Sequence, residues 1–254
     1  MVSFASFARD AFAFEVCHIR IRTAMTTETC IILFIKYPEK GKVKTRLSKD
    51  LGDDVTLDLY RAFAADILAT VRKTGLPLRI CYAPADAGDK VKAWLGDGWE
   101  DAPQPEGDLG ARMEGAFRQA FDDGFERAVI IGSDIPDLPL RIINQAVKSL
   151  AFSDAVIGPS VDGGYYLIGF HQDTFLPVAF YGIPWSSPRV YPETMALLEN
   201  AELRVHGLPK WPDVDTFEDV REFMKRNASG ELSGSRTMQC LEAARASLPR
   251  RFAS

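Results

Sequence analysis

Residues 128–138 read AVIIGSDIPDL, and the fold turns on how that stretch is understood. The run Ala128-Val129-Ile130-Ile131 is short, rich in β-branched residues and without alternation, the pattern of a strand buried on both faces of a parallel sheet. Gly132 and Pro136 stop it abruptly, so Asp134 belongs at the carboxyl end of the strand, on the loop that follows. In open α/β sheets, ligands bind along that edge. A carboxylate there, beside the Ser133 hydroxyl and a glycine, can hold a hard divalent cation against a phosphorylated substrate. It serves as readily in an Asx-turn, or as a cap for the helix after Pro139.

Working back from that strand, residues 30–36 (CIILFIK) form a first buried strand that runs into YPEKGKVKTRL. Lys36, Lys40, Lys42, Lys44 and Arg46 fall within eleven positions of this strand-to-helix loop. A solvated loop is the ordinary explanation of such a run. The first βα turn is also where phosphates are commonly received. Neither G-x-x-x-x-G-K-[ST] nor G-x-G-x-x-G is present, so side-chain cations, not a glycine-rich backbone cradle, would hold the anion.

Between the two strands, Val55, Leu59, Phe63, Ile67 and Val71 form a helical stripe over residues 53–74, ended by Gly75 and Pro77. Residues 78–83 read as a second strand, 86–95 as a short helix and 99–105 as an extended segment. Asp108 is placed to cap the next helix, whose buried face is Met113, Phe117, Ala120 and Phe121. Arg112 sits in its first turn, where the helix dipole favours an acid. That mismatch points to an anionic partner or to a surface ion pair.

Beyond Asp134, residues 139–150 read as a helix and 154–159 as another buried strand. Asp162-Gly163-Gly164 between two apolar runs signals a hairpin, and paired glycines also let backbone approach a ligand closely. Ser187 as N-cap with Pro188 at N1 opens a helix running to about Asn200. Trp185 before it is either a core plug or a flat apolar wall for a substrate ring. Residues 202–208 make the last strand. Asp213 and Asp215 follow it, two apart and so on one side of an extended segment. Thr216 and Asp219 have capping-box spacing for a helix to Asn227. Residues 228–254 read as a tail with one weak amphipathic helix over 235–247, expected to be peripheral.

With 254 residues the chain makes one large domain or two small ones. A net charge of −5 argues against general nucleic-acid binding. Cys17, Cys30, Cys81 and Cys240 are scattered without a C-x-x-C pair, so neither a zinc knot nor a disulfide framework is signalled. No apolar run approaches a membrane span. Residues 1–24 lack a signal-peptide h-region, because Arg9, Asp10 and Glu15 interrupt the apolar stretches. They are expected to be a loosely ordered extension ahead of a second start at Met25, and a cytoplasmic location is expected for the chain.

The order of elements is that of an α/β chain with a mostly parallel sheet and one hairpin near its end. Three clusters fall after strands: the basic loop, Gly132–Asp134, and the Asp213/Asp215 pair. Cations and carboxylates over a glycine-lined floor suit metal-assisted transfer from a nucleoside diphosphate or triphosphate.

Six strings, KYPEKGKVKTRL, EGDLGARM, IGSDIPDL, GPSVDGGYYLIG, IPWSSPRV and DVDTFEDV, resemble in the same order the rSAM/selenodomain-associated transferase family. The resemblance covers roughly residues 30–227. It implies a Rossmann-like GT-A fold, three layers α/β/α with a mostly parallel but mixed sheet, of the nucleotide-diphospho-sugar transferase type. It implies one such domain over residues 25–227. By the same resemblance Asp134 is the metal-binding acid for Mg²⁺ or Mn²⁺, and Asp215 is expected close by as a second ligand, direct or through water. The wider fold pattern often has Asp-x-Asp, and here Gly132 stands at the partner position. Lys36, Lys44 and Arg46 would contact the donor phosphates, and Asp108, Arg112 and Ser133 are expected to bind the nucleotide or its phosphates as well. Asp162 would work on the transferred group as a catalytic residue, bordered by Gly163, Gly164 and Trp185. The function implied is a glycosyltransferase taking a nucleotide sugar and a small-molecule acceptor. The Lys-Thr-Arg-Leu stretch is also similar to the loop of 2-phospholactate guanylyltransferases, which implies the alternative of nucleotidyl transfer from a nucleoside triphosphate.

Overall fold

Strand β1 (Thr29–Lys36) is buried along its whole length except its last residue, and its side chains divide between two cores. Ile31, Leu33 and Ile35 enter one, while Cys30, Ile32 and Phe34 enter the other. A strand can be apolar at every position only when both sheet faces are covered. In the computed structural model, which describes residues 29–245, helices cover both.

After β1 come α1 (Thr45–Leu51), α2 (Asp53–Arg72), β2 (Leu78–Ala83), α3 (Gly88–Leu95), β3 (Glu100–Pro103) and α4 (Leu109–Asp122). Then follow β4 (Arg127–Gly132), α5 (Leu140–Ser149), β5 (Ala155–Pro159) and β6 (Tyr165–His171). Last among the described residues come α6 (Val190–Asn200), β7 (Val205–Gly207), α7 (Phe217–Arg226) and α8 (Arg236–Ala244). The seven strands lie in the order β3-β2-β1-β4-β6-β5-β7. Strand β6 runs antiparallel to β4 and β5, and every other pairing is parallel.

Ile67 and Val71 of α2, Val91 of α3 and Ile142, Ile143 and Ala146 of α5 pack on one face of the sheet. Met113, Phe117 and Ala120 of α4 and Leu198 of α6 pack on the other. Phe117 anchors that second core, its ring 5.3 Å from Phe170 and from Phe175. A third cluster joins Leu47 and Leu51 of α1, Leu59 and Phe63 of α2, Val220 and Phe223 of α7 and Leu241 of α8. The three-layer α/β/α fold with a mixed, mostly parallel sheet is the one expected.

The topology positions the site. From β1 the chain winds outward through β2 and β3, then returns to lay β4 along the other edge of β1. Connections leaving β1 and β4 diverge, and the crevice at the carboxyl ends of two such strands is where open α/β sheets receive ligands. Lys36 ends β1 and Gly132 ends β4.

Local readings held for β2 and for the Thr216/Asp219 capping box, and four others need correction. The basic loop is shorter than expected, because Thr45 already starts α1. Helix α6 is not capped at Ser187 with Pro188 at N1. It begins at Val190 behind Arg189, while Ser187 Oγ only closes a local turn to the Arg189 N–H at 3.3 Å. The hairpin holds the preceding segment there: Gly163 O accepts from Tyr191 N at 2.9 Å, and a Cβ on Gly163 would collide with the Pro188 backbone. Strand β7 keeps only three residues, since Glu202 takes a left-handed turn (φ 57°) and the Arg204 N–H goes to the Asp154 carboxylate. Helix α8 is not peripheral. Thr237 and Leu241 are fully buried, and the Asp66 carboxylate, in mid-α2, accepts from the backbone N–H groups of Arg236 and Thr237 at 3.0 and 2.8 Å. Those donors are orphans at any helix start; here a distant helix supplies the acceptor. The expectation for residues 1–24 lies outside the described residues. Among the described residues, no helix is long and apolar enough to cross a membrane.

Candidate functional site

The loop leaving β1 is folded back on itself by a turn from Lys42 N to Glu39 O at 3.0 Å, and Lys36 Nζ donates to Lys42 O at 2.7 Å. Val43 is buried and anchors its far end. Lys44 then adopts the left-handed conformation (φ 47°, ψ 46°) immediately before α1, which costs a side-chain-bearing residue about 1 kcal/mol. The Lys44 side chain is turned inward and only 4% exposed. Its Nζ lies 3.0 Å from Asp134 Oδ1 and 3.6 Å from Asp215 Oδ1. These are ion-pair contacts without an aligned hydrogen bond. Arg46, two residues on, donates from Nη1 to Asp215 Oδ2 at 2.8 Å. A cation from the end of the β1 loop and one from the first turn of α1 thus meet two carboxylates from loops far along the chain.

The Asp134 loop is held from below. The Tyr60 hydroxyl accepts from the Lys36 N–H at 2.8 Å and lies 3.2 Å from Ser133 Oγ, joining the ends of β1 and β4. Burial, reinforced by the charge of Asp134, pushes the Tyr60 hydroxyl well above the ordinary tyrosine range, so it stays protonated. Asp137 is 2% exposed and accepts from Trp211 Nε1 at 3.1 Å, Arg226 Nε at 2.7 Å and Asn227 Nδ2 at 2.9 Å. It fastens the β4 loop to the loop after β7 and to the end of α7. Asp213 accepts from Ser160 Oγ at 2.9 Å. Burial first, then the nearby Asp162 charge, raises the Asp213 carboxyl above its usual value.

Lys44, Asp134 and Asp215, with Tyr60, Ser160 and Asp213, border one cleft of about 970 Å³, whereas Asp137 and its three donors do not line it. Of the residues singled out from sequence, Lys36, Lys44, Arg46, Arg112, Ser133, Asp134, Asp162, Gly164, Trp185 and Asp215 line it. Asp108 and Gly163 do not. Asp108 spends its carboxylate as the cap of α4, accepting from Ala111 N at 2.9 Å. Gly163, at φ 94°, serves the packing of the hairpin on Pro188. Arg112 also donates locally, from Nε to Gly107 O at 2.9 Å. Asp162 Oδ1 accepts from the Gly164 N–H at 2.9 Å, which orients the carboxylate on the hairpin. Trp185 is both core and wall. It meets Tyr165 edge-on with ring centroids 6.4 Å apart, packs on Gly110, and borders the cleft.

Sequence reasoning passed over Tyr60, Gln104 and Ser160 and committed no role to Asp213, and all four line the cleft. Tyr60 and Gln104 lie on segments with an ordinary structural reading. Gln104 donates both amide hydrogens, to Ile35 O at 3.0 Å and Cys81 O at 3.1 Å. Asp213 did carry a signal, its two-residue spacing from Asp215.

Among the described residues, no three His, Cys, Asp or Glu side chains stand together as a ready metal site. Asp134 and Asp215 do converge on a single point charge, the Lys44 ammonium. Mg²⁺ typically takes one or two protein carboxylates and completes its shell with water and substrate phosphate, so the donor set fits.

Residues 66–187 match the family described as "Uncharacterized protein conserved in bacteria (DUF2064)". No curated protein matches the chain. Among solved structures, the chain is similar to a "putative nucleotide-diphospho-sugar transferase" from Desulfovibrio desulfuricans, with 44% identity and a TM-score of 0.85 over 89% of this chain and 98% of that one. Rv0371c from Mycobacterium tuberculosis shares 17% identity and a TM-score of 0.51, over 79% of this chain and 99% of its own. The 4-diphosphocytidyl-2C-methyl-D-erythritolsynthase from Anaerococcus prevotii shares 12% and 0.51, over 76% and 95%. The last two likenesses are of fold alone. The identity to the Desulfovibrio protein extends over nearly that whole chain, in agreement with the resemblance carried by the six motifs, and this protein belongs to the DUF2064 family.

Proposed function

We propose that this chain transfers the sugar of a nucleotide-diphospho-sugar to a small-molecule acceptor, with Mg²⁺ or Mn²⁺ held by Asp134 and Asp215. The observation that carries the reading is the meeting of Lys44 and Arg46 with Asp134 and Asp215 where β1 and β4 end. The 44%-identical Desulfovibrio protein, named for a nucleotide-diphospho-sugar transferase, supports the same substrate class. Lys36 and Arg46, both exposed at the cleft, would bind the diphosphate, Arg46 as a planar two-pronged donor. The metal would supply charge neutralisation on the departing diphosphate. The bond between the sugar's anomeric carbon and the phosphate oxygen breaks, and an acceptor oxygen takes its place. Asp162 would receive the acceptor's proton or orient a sugar hydroxyl, and Trp185 would provide the apolar wall for the ring.

One feature favours a second reading. Five cations, Lys36, Lys42, Lys44, Arg46 and Arg112, border the cleft, enough for a triphosphate. In that case an acceptor oxygen attacks the α-phosphate and pyrophosphate leaves. The two readings break different bonds, so one assay separates them. Nucleotide sugars and nucleoside triphosphates are incubated with the protein and Mg²⁺ or Mn²⁺. Slow hydrolysis of a nucleotide sugar without acceptor, releasing nucleoside diphosphate, is expected. Pyrophosphate release from a triphosphate with an added phosphorylated acid or sugar, and no cleavage of any nucleotide sugar, overturns the first reading in favour of the second.

A further inference from the structure

Lys44 stands apart from the other lysines of its loop. Lys40 and Lys42 are 56% and 69% exposed and pair with surface acids, whereas Lys44 is 4% exposed and touches both carboxylates assigned to the metal. Its left-handed backbone directs it there. Taking an ammonium out of water is costly unless anions surround it, and Asp134 and Asp215 are those anions. A divalent cation would need the same oxygens, and two cations sharing them repel each other.

We infer that Lys44 is a built-in competitor for the metal position: its ammonium and a divalent cation bind Asp134 and Asp215 in mutually exclusive fashion, and a donor phosphate relieves the competition by taking the ammonium. The inference rests on the metal reading above. Arg46 cannot play the part, because it reaches only Asp215 and is 68% exposed. The consequence is coupling. Phosphate that draws Lys44 away tightens the metal, and by linkage the metal tightens the phosphate by the same factor. The protein then holds its metal weakly until the donor arrives.

The test is the affinity of the full chain for Mn²⁺ alone, read from the free-ion paramagnetic resonance signal. Lys44→Met is expected to bind Mn²⁺ at least tenfold more tightly than the unsubstituted protein, and adding Asp134→Asn to Lys44→Met should abolish the gain. Equal or weaker binding by Lys44→Met overturns the competition while leaving the metal reading intact. Binding of Mn²⁺ by neither protein, with or without a nucleoside diphosphate, removes the metal from the proposed function itself. A second measurement needs no variant. Amine labelling of Lys44, mapped by peptide mass spectrometry, should rise severalfold with saturating Mn²⁺, with exposed Lys148 as the unchanged reference. Labelling of Lys44 that does not respond to Mn²⁺ also overturns the inference.

Discussion

The backbone N–H of Val214 donates to the carbonyl of Asp134 at 2.9 Å, so the two loops that carry the site's carboxylates are stitched together by main chain. Val214 itself is fully buried, which leaves its neighbours Asp213 and Asp215 to face the cleft. The placement of Asp134 relative to Asp215 is therefore set by backbone and not by flexible side chains alone. That is the pre-organisation a charged site requires, since groups held in place beforehand need no reorganisation when a charged ligand arrives.

Asp134→Asn should abolish metal-dependent turnover and leave the fold intact. The Asp134 side chain is half exposed, so its loss removes little burial. Turnover with Mg²⁺ and the melting temperature, measured on one preparation, check both halves. Retained metal-dependent activity would falsify the assignment.

Arg46→Ala should weaken nucleoside diphosphate binding by about tenfold or more, since charge-assisted hydrogen bonds contribute about 1.5–3 kcal/mol. Titration calorimetry at fixed ionic strength measures it. Unchanged affinity would place the phosphates elsewhere in the cleft.

Asp137→Ala should destabilise the protein by about 3 kcal/mol, because a buried charge loses its partner and three donors lose their acceptor. The lower end of the usual range applies, as Arg226 is 29% exposed and recovers some solvation. Urea unfolding gives the number, and a loss below about 1 kcal/mol would mean the network is dispensable.

The raised Asp213 carboxyl makes a prediction about pH. A folded-state value above the unfolded one means the folded protein prefers the protonated form. The stability it contributes is fully present below the unfolded value of 3.8 and is lost as pH rises through the raised folded value. Asp213→Asn keeps an acceptor for Ser160 and removes the buried charge. Its melting temperature, relative to the unsubstituted protein, should be more favourable at pH 7 than at pH 4. A difference independent of pH would show that burial does not penalise this carboxylate.

Much of the molecule follows from local pattern. Short, β-branched apolar runs without alternation at residues 30–36 and 128–131 have the pattern of strands covered on both faces, and both are. Periodicity placed α2 and the buried face of α4, and capping chemistry placed the starts of α4 and α7. Each of these rests on interactions within a few residues, which is why a linear reading reaches them. Lys36, Lys44, Arg46 and Asp134 were also legible as neighbours of one strand edge, and they line one cleft in the structure.

Local pattern thus reaches the elements and the sheet edge along which the candidate site lies. The pairings come from contacts between segments far apart in the chain. That the Lys44 side chain is buried beside Asp134 and Asp215 depends on β4 lying beside β1, a pairing of residues about a hundred positions apart. That Gly163 serves packing on Pro188, that α8 is locked to α2 by Asp66, and that α6 starts two residues late all depend on neighbours distant in the chain. Local propensity contributes tenths of a kcal/mol per residue, and a single buried charge or close backbone contact outweighs it.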